Sequence, residues 1–416
     1  MSAAAARRRK QQQKRAAAPK PGESADPVQL RLDSLLDDPT LVEESVAYEA
    51  LQLAQSSVRR NVKNGNFSGA VEVAYTTSVA LLSKSGRVSV SSQLLAGLVQ
   101  VLVETHTACT EEWVGRFREL DAAYLAALDA DAKMDPAERG RLQRLHLHFL
   151  RKGLKWSNDL GTVKHGALGM HALLGQHCWR MSCDEAVVQA EPAAQHGEDD
   201  DEDDEDEMET SRVGLRNESV THYALAEKVD VILEKLKSLP APTEEEMKMG
   251  HTCPPAQRDA LLTRSILVLL AIENLRDATI LASSYLKDVE TRPVDEIKKS
   301  YLDKTDGKAP SHIMFVCMLL RICEKDSKTA PLFTWLVRNF GAELGTMHQP
   351  EIIKTYTTKI GRVYFDIQPP PSMMDMMENM MSMMGGGGMG GMGGAPGGMN
   401  PAMMQAAMAA MQGGGM

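Results

Sequence analysis

The sequence predicts an all-α protein, an irregular α-solenoid built of TPR-like helical hairpins. Apolar residues recur at helical spacing through most of the middle of the chain, while the alternation typical of strands is nearly absent. One type of turn also recurs, at Asn66–Ala70, Ser182–Ala186 and Asn274–Ala278. Each turn has a capping residue, then an apolar residue, and an alanine four positions after the cap. The turns are unequally spaced, so the hairpins are expected to follow no strict period.

Helices are predicted in order along the chain from this periodicity. The first covers Ser45–Lys63, and a second follows the turn at Asn66. The others are expected at Ser91–Thr107, Thr110–Ala130, Glu138–Lys155, Gly166–Met181, Val220–Leu239, Arg258–Ile272, Ala278–Val289, Ser311–Cys323, Ala330–Asn339 and Pro350–Phe365. Segments rich in proline, glycine or charge interrupt them at Asp131–Pro136, Leu239–Pro242 and Asp303–Pro310.

A short amphipathic helix is predicted after Pro371, with Ser372 as its N-cap and Gly385 at its end. Its apolar face consists entirely of methionines: Met373, Met374, Met376, Met377, Met380, Met381, Met383 and Met384. The free energy gained by burying them and the entropy lost on ordering the segment nearly cancel, so this helix needs a surface to lie on. That surface is the chain's own core, a groove of a partner protein, or a transient apolar client.

Charge and low complexity divide the chain further, although its net charge is only -10. The N-terminus is basic, the run from Glu198 to Glu209 is almost wholly acidic, and the end is rich in glycine and methionine. Blocks of like charge stay solvated. The predicted organisation is a disordered basic arm (1–40), N-terminal repeats (41–190), an acidic disordered insertion (191–218), C-terminal repeats (219–384) and a Met/Gly-rich tail (385–416).

Several functional classes find no support in the sequence. No apolar run is long enough for a membrane span, no signal peptide is recognisable, and the six scattered cysteines suit a reduced cytosolic protein. Nucleotide-binding and hydrolase motifs are missing, as is a basic face with interleaved aromatics for nucleic acid. The segment from His177 to Cys183 has poor spacing for zinc, and His146 and His148 are interpreted as packing or surface residues. The sequence therefore predicts no enzyme activity, cofactor or metal.

Four segments resemble the Golgi-to-ER-traffic protein four family, whose members belong to a cytosolic complex that handles tail-anchored proteins. They are LQLAQSSVRRNVKNGNFSGA (Leu51–Ala70), the stretch around L-K-W-S (Phe149–Ala186), the hairpin at Ser311–Phe340, and IGRVYFDIQPPPSMMDMMENMMSMMG (Ile360–Gly385). The basic arm, the acidic insertion and the Gly-Met tail fall outside the family's pattern.

The resemblance implies an α-solenoid without enzymatic activity. In the family the N-terminal repeats dock the pathway's targeting ATPase, and the C-terminal portion binds the N-terminal segment of a ubiquitin-like partner. Animal relatives also join a larger scaffold co-chaperone. By position, Arg59 matches a basic residue of the family's first helix, and the ATPase-binding role is extended to Arg60 and Lys63.

The ubiquitin-like partner is assigned by the same resemblance to Ile360, Tyr364 and Phe365, which match the family's last apolar helix. Ordinary core packing is the alternative for these three residues. The leading hypothesis is a cytosolic adaptor that bridges a ubiquitin-like partner and co-chaperone to the targeting ATPase, and contacts tail-anchored clients indirectly. The second is a chaperone that holds apolar clients through its methionine helices. The third is a subunit of a proteasome-lid-like or translation-factor-like helical assembly.

Overall fold

The computed structural model describes residues 27–131, 133–184, 211–240, 257–290, 311–325 and 327–368, and the single residues 293 and 295. These residues form helices and connecting turns, with no strand among them. The helices are α1 (Pro27–Leu36), α2 (Glu44–Asn64), α3 (Phe67–Ala80), α4 (Val88–Glu104), α5 (Glu111–Ala130), α6 (Pro136–Leu160), α7 (Leu168–Cys183), α8 (Arg212–Leu225), α9 (Val229–Ser238), α10 (Gln257–Ala271), α11 (Leu275–Asp288), α12 (Ser311–Cys323), α13 (Ala330–Asn339), α14 (Gly341–Gly345) and α15 (Pro350–Phe365).

The helices pack in the order expected of stacked hairpins. Helix α2 contacts both α3 and α4, and α4 contacts α6, so each helix meets its successor and often the next one along. The same pattern continues from α8 to α10 and from α10 to α12. The predicted all-α solenoid of TPR-like hairpins is therefore confirmed. Helix α15 is the exception, because it returns to pack against α10 as well as α13.

Side-chain caps set several of the helix starts. The Asn66 side chain accepts a hydrogen bond from the Gly69 amide at 3.3 Å, and Asn274 accepts one from Asp277 at 3.1 Å. The predicted turns at these two positions are confirmed. The third is wrong, because Ser182 lies inside α7 and its hydroxyl donates to the Trp179 carbonyl at 2.7 Å. A serine that bonds back to its own helix does not cap the next one.

Three further predictions are corrected. The segment Val220–Leu239 is not one helix: α8 and α9 are separated at residues 226–228, where Glu227 has a positive φ of 57°. Helix α8 also begins at Arg212, so the acidic insertion predicted over 191–218 extends too far towards the C-terminus. Its core residues Leu215 and Val220 stabilise the early start. Likewise α1 lies within the arm predicted as disordered over 1–40, because Leu32 and Leu35 are buried there.

The apolar core consists of two adjoining clusters within one compact unit that extends to Ile367. The first is built mainly by α1 to α7, and the second by α8 to α15. The pair α7–α8 contributes to both, since Met181 and Leu215 belong to the first cluster while Trp179 and Val220 belong to the second. The predicted division into N-terminal and C-terminal repeats stays a prediction.

The L-K-W-S sequence has a structural role. Trp156 is 1% exposed, and its indole nitrogen donates to the Thr107 carbonyl at 2.9 Å. Its ring stacks on Phe117, with 5.6 Å between ring centroids. The Ser157 hydroxyl accepts a hydrogen bond from the Ala167 amide at 3.2 Å. These contacts hold the turns before α5 and α7, so the motif stabilises the middle of the chain.

Other predictions concern residues outside those that the structure describes. They are the basic residues before position 27, the acidic run Glu198–Glu209, the methionine helix between Ser372 and Gly385, and the tail 385–416. These predictions remain based on the sequence alone.

Candidate functional site: an apolar groove between α11, α12 and α13

An open groove of about 800 Å³ lies between α11, α12 and α13. We call it the C-terminal groove. It is lined by Thr279, Ala282, Ser283 and Leu286 from α11, by Met314, Cys317, Met318, Leu320, Arg321 and Ile322 from α12 with Glu324 beyond it, and by Leu332 and Trp335 from α13. Most of these side chains are apolar, and flexible methionines line part of the α12 side. Methionine adapts to varied apolar shapes, which suits a surface that receives another polypeptide.

Two large apolar side chains are exposed along α13. Leu332 is 55% exposed and Trp335 is 49% exposed. They are three residues apart and therefore share one face of the helix. Phe333, which follows Leu332 in sequence, lies on the opposite side of the helix and stacks on Phe365 with 4.5 Å between ring centroids. Helix α13 is thus fixed through one face and presents the other to the groove.

The close approach of α13 to α15 depends on a glycine. A Cβ atom at Gly361 would lie 3.0 Å from Cε1 of Phe333, tighter than an ordinary van der Waals contact. Gly361 and Ile360 are both buried in this contact. The glycine therefore helps to set the position of α13, and with it one wall of the C-terminal groove.

Charged side chains stand at the edge of the groove. Arg321 and Glu324 form an ion pair at 3.4 Å, and the Arg321 side chain is 82% exposed. An exposed pair of this kind adds little stability. An apolar floor with charged groups at its edge is the arrangement that protein–protein interfaces use, where the rim contributes specificity more than affinity.

The residues predicted to contact the ubiquitin-like partner lie on α15, beside the groove. Ile360 is fully buried and Phe365 is 3% exposed, so both pack in the core. Tyr364 is half-buried, and burial, with a smaller effect of Cys323, raises its pKa to about 12. None of the three lines the C-terminal groove. Contact of Ile360 and Phe365 with a partner stays a prediction, and the burial of both residues argues against it. Of the three residues, only Tyr364 has accessible surface for a partner to contact.

The residues predicted to bind the ATPase lie near the C-terminal end of α2. Arg59 and Lys63 are exposed, and since they are four residues apart they share one face of the helix. Arg60, between them in sequence, is half-buried. Gly65 ends the helix in the left-handed conformation at φ 75° and accommodates the turn into α3. The structure thus brings two of the three residues together on an accessible surface.

Sequence reasoning missed a second feature, a buried polar cluster of Asp121, His146 and His177. The three residues come from α5, α6 and α7, and one ligand-type atom of each lies within 4.8 Å of the others. Burial, followed by the neighbouring His146, lowers the pKa of His177 to about 3. His146 was expected to be a packing or surface residue, and it is wholly buried. No sequence motif connects the three positions, so only the fold reveals the cluster.

Comparison with known proteins identifies the family. A family model described as Golgi to ER traffic protein 4 matches residues 64–384, well over half of the chain. The chain belongs to the Golgi to ER traffic protein 4 family. A curated Arabidopsis thaliana relative, Protein GET4, is 24% identical over 324 residues, which are 74% of this chain and 82% of the relative. A crystal structure of C. therm. Get4 is 18% identical, with a TM-score of 0.49, and covers 89% of this chain and 100% of its own.

Membership of the Golgi to ER traffic protein 4 family gives the chain a role in Golgi-to-ER traffic, in a family of adaptor type. The matched residues include the L-K-W-S sequence and the C-terminal groove, whereas Arg59, Arg60 and Lys63 precede them. Among the described helices, none has the length and apolar character needed to cross a membrane.

Proposed function

We propose that the chain is a non-catalytic cytosolic adaptor for the post-translational targeting of tail-anchored membrane proteins to the ER. It bridges a ubiquitin-like partner and its co-chaperone to the targeting ATPase. The C-terminal groove is the single observation that carries this proposal, because it offers an apolar surface within the part of the chain that defines the family. A larger scaffold co-chaperone of the pathway is a further partner, and tail-anchored clients are reached through these proteins.

An amphipathic helix from the ubiquitin-like partner suits the C-terminal groove. Helix-in-groove recognition places apolar side chains, spaced three or four residues apart, in a hydrophobic channel. Leu332 and Trp335 provide exposed apolar area, and tryptophan is a frequent hot spot of binding energy. The charged pair Arg321–Glu324 at the edge provides polar groups that can fix the orientation of the bound helix.

The targeting ATPase is assigned to the other half of the chain, where Arg59 and Lys63 are exposed on α2. Charged groups at the rim of an interface act mainly on the association rate, and salt screens them. Helix α2 belongs to the first core cluster and the C-terminal groove to the second. We therefore assign ATPase docking to the repeats within 41–190 and the ubiquitin-like partner to those within 219–384.

Hydrogen–deuterium exchange of the full-length chain tests the assignment of the groove. The chain is measured alone and with the N-terminal segment of the ubiquitin-like partner. Slower exchange in α11, α12 and α13 is the expected result, because the bound helix covers the exposed faces of these elements. Protection confined to α1–α7, or no protection at all, would contradict the assignment.

The rival function is that of a chaperone that holds apolar clients directly. Eight methionines lie among the twelve residues from Met373 to Met384, and more follow in the tail. Soft side chains of this kind suit varied apolar partners. Crosslinking of transmembrane clients is compared between the full chain and a chain that lacks Gly385–Met416. Unchanged crosslinking excludes client holding by the tail, whereas its loss favours the chaperone.

A further inference from the structure

The buried cluster of Asp121, His146 and His177 is not explained by either partner-binding surface. All three side chains are buried at the centre of the first half of the chain, where α5, α6 and α7 meet. The ring of His146 stacks on Tyr124 with 4.1 Å between centroids, and it meets the His177 ring edge-on at 4.7 Å. Polar groups in such surroundings are stable only when they have partners.

One nitrogen of each imidazole has an oxygen partner. Nε2 of His146 lies 2.7 Å from Oδ1 of Asp121, and Nε2 of His177 lies 3.1 Å from the carbonyl oxygen of Gln143. A carboxylate or carbonyl oxygen accepts a hydrogen bond, so Nε2 of each ring carries a proton. On a neutral imidazole the other nitrogen, Nδ1, then has a lone pair and no proton.

The Nδ1 atoms of both histidines are buried and have no hydrogen-bond partner among the described residues, and Oε1 of Gln143 shares this condition. Leaving a buried polar atom unpaired destabilises the folded state. Unpaired polar atoms on three buried side chains of α6 and α7 are therefore an unfavourable arrangement for a purely structural core. A lone pair held in this way is suited to a cation.

We propose that Asp121, His146 and His177 form a buried site for one borderline divalent transition-metal ion, with Zn²⁺ as the representative ion. Two imidazoles and a carboxylate are a common ligand set for such ions. Metal-binding histidines usually donate their second ring nitrogen to a carbonyl or carboxylate, and the Gln143 carbonyl has this relation to His177. The ion links α5, α6 and α7, and its effect is to stabilise the centre of the first half.

Binding requires a small rearrangement. Ligands of a tetrahedral ion with metal–ligand distances of about 2.0–2.1 Å lie roughly 3.3 Å from one another. The three ligand-type atoms, which lie within 4.8 Å of each other, move closer on average. The hydrogen bond of 2.7 Å between Asp121 and His146 opens to admit the ion between the carboxylate oxygen and Nε2, and the proton on Nε2 moves to Nδ1 or to solvent. Rotation of side chains on neighbouring helices accommodates movements of this size.

Metal binding by the full-length chain tests the proposal after dialysis against a chelator. Thermal unfolding is followed during titration with Zn²⁺, and the visible spectrum is recorded with Co²⁺. One equivalent of Co²⁺ is expected to give the strong visible absorption of a four-coordinate ion. Co²⁺ bound only by carboxylates of the acidic run would instead be six-coordinate and would absorb weakly. At free Zn²⁺ of about 100 times Kd, folding is favoured about 100-fold, and the unfolding midpoint rises.

Matched variants locate the ion. Asp121→Asn and His177→Gln are expected to lose the Co²⁺ absorption and the Zn²⁺-dependent rise of the midpoint. His171→Gln is the control: His171 is also on α7, and its Nδ1 lies 2.9 Å from Nδ1 of His222 in a separate histidine pair. It is expected to retain both signals.

Either of two results overturns the proposal: a wild-type chain without the four-coordinate spectrum, or a spectrum that survives in both Asp121→Asn and His177→Gln. Circular dichroism reports whether each variant folds. Should both variants unfold, the wild-type chain alone tests the proposal. A four-coordinate Co²⁺ spectrum that is lost on competition with Zn²⁺ supports it, and the lack of such a spectrum overturns it.

Discussion

Truncation of Trp335 to alanine is the sharpest perturbation of the C-terminal groove. The side chain is 49% exposed. A tryptophan can bury up to about 250 Å², so roughly 120 Å² remains for a partner to cover. At about 25 cal/mol per Å², this area contributes about 3 kcal/mol to binding. About 1.4 kcal/mol corresponds to a tenfold change in Kd. Trp335→Ala is therefore expected to weaken binding of the ubiquitin-like partner roughly 100-fold.

Fluorescence anisotropy measures this loss, with a labelled N-terminal segment of the ubiquitin-like partner titrated by the full-length chain. Ile280→Ala is the matched control, because Ile280 is 44% exposed on α11 but does not line the groove. Circular dichroism confirms that both variants are folded. An affinity for folded Trp335→Ala within about threefold of the wild type, which is under 1 kcal/mol, would refute the reasoning.

Three further predictions concern α2, α15 and a buried histidine. Replacing Arg59 and Lys63 by glutamate is expected to weaken ATPase docking most at low salt, measured as affinity across a salt series. Gly361→Ala brings a Cβ to 3.0 Å from the Phe333 ring and is expected to lower the free energy of unfolding by about 1–3 kcal/mol in urea. Burial lowers the pKa of His312 to about 4. Folding therefore favours the neutral form of His312. The free energy of unfolding is fully retained above pH 6.5 and declines as the pH falls towards 4, and at pH 5 the loss is about 2 kcal/mol.

Each of these predictions has a control. The Arg59 and Lys63 variant should bind the ubiquitin-like segment normally, and docking that is insensitive to salt contradicts its electrostatic role. Gly341→Ala should be milder than Gly361→Ala, because its Cβ would meet nothing within 4 Å. For His312→Gln, unfolding measured at pH 7 and pH 5 should show a smaller loss of stability than the wild type. An equal loss would assign the pH dependence to other groups.

The sequence predicts helices most accurately where local signals mark their ends. The helix Ser311–Cys323 agrees with the prediction at its C-terminal end, and the helices Ala330–Asn339 and Pro350–Phe365 agree at both ends. Prolines stand at or near the start of the last two, where a missing backbone N–H costs nothing. The prediction failed at Ser182, since a serine near the end of α7 satisfies its hydroxyl within its own helix. Local sequence does not distinguish that bond from a cap.

Features that join distant segments were not predictable in the same way. Trp335 and Leu332 show helical spacing, but only the packing of Phe333 on Phe365 reveals which face of α13 is exposed. Asp121 and His177 come from different hairpins, and the distances between them depend on how those hairpins stack. The family resemblance supplied the functional class, whereas side-chain exposure located the C-terminal groove and placed Ile360 in the core.

Simultaneous binding of both partners is the most direct measurement of the adaptor function. The full-length chain is mixed with the ubiquitin-like partner and the targeting ATPase, and the masses of the complexes are determined by light scattering after size exclusion. The account predicts one ternary complex, from which Trp335→Ala removes the ubiquitin-like partner and the Arg59 and Lys63 variant removes the ATPase. Two binary complexes that displace one another would contradict it.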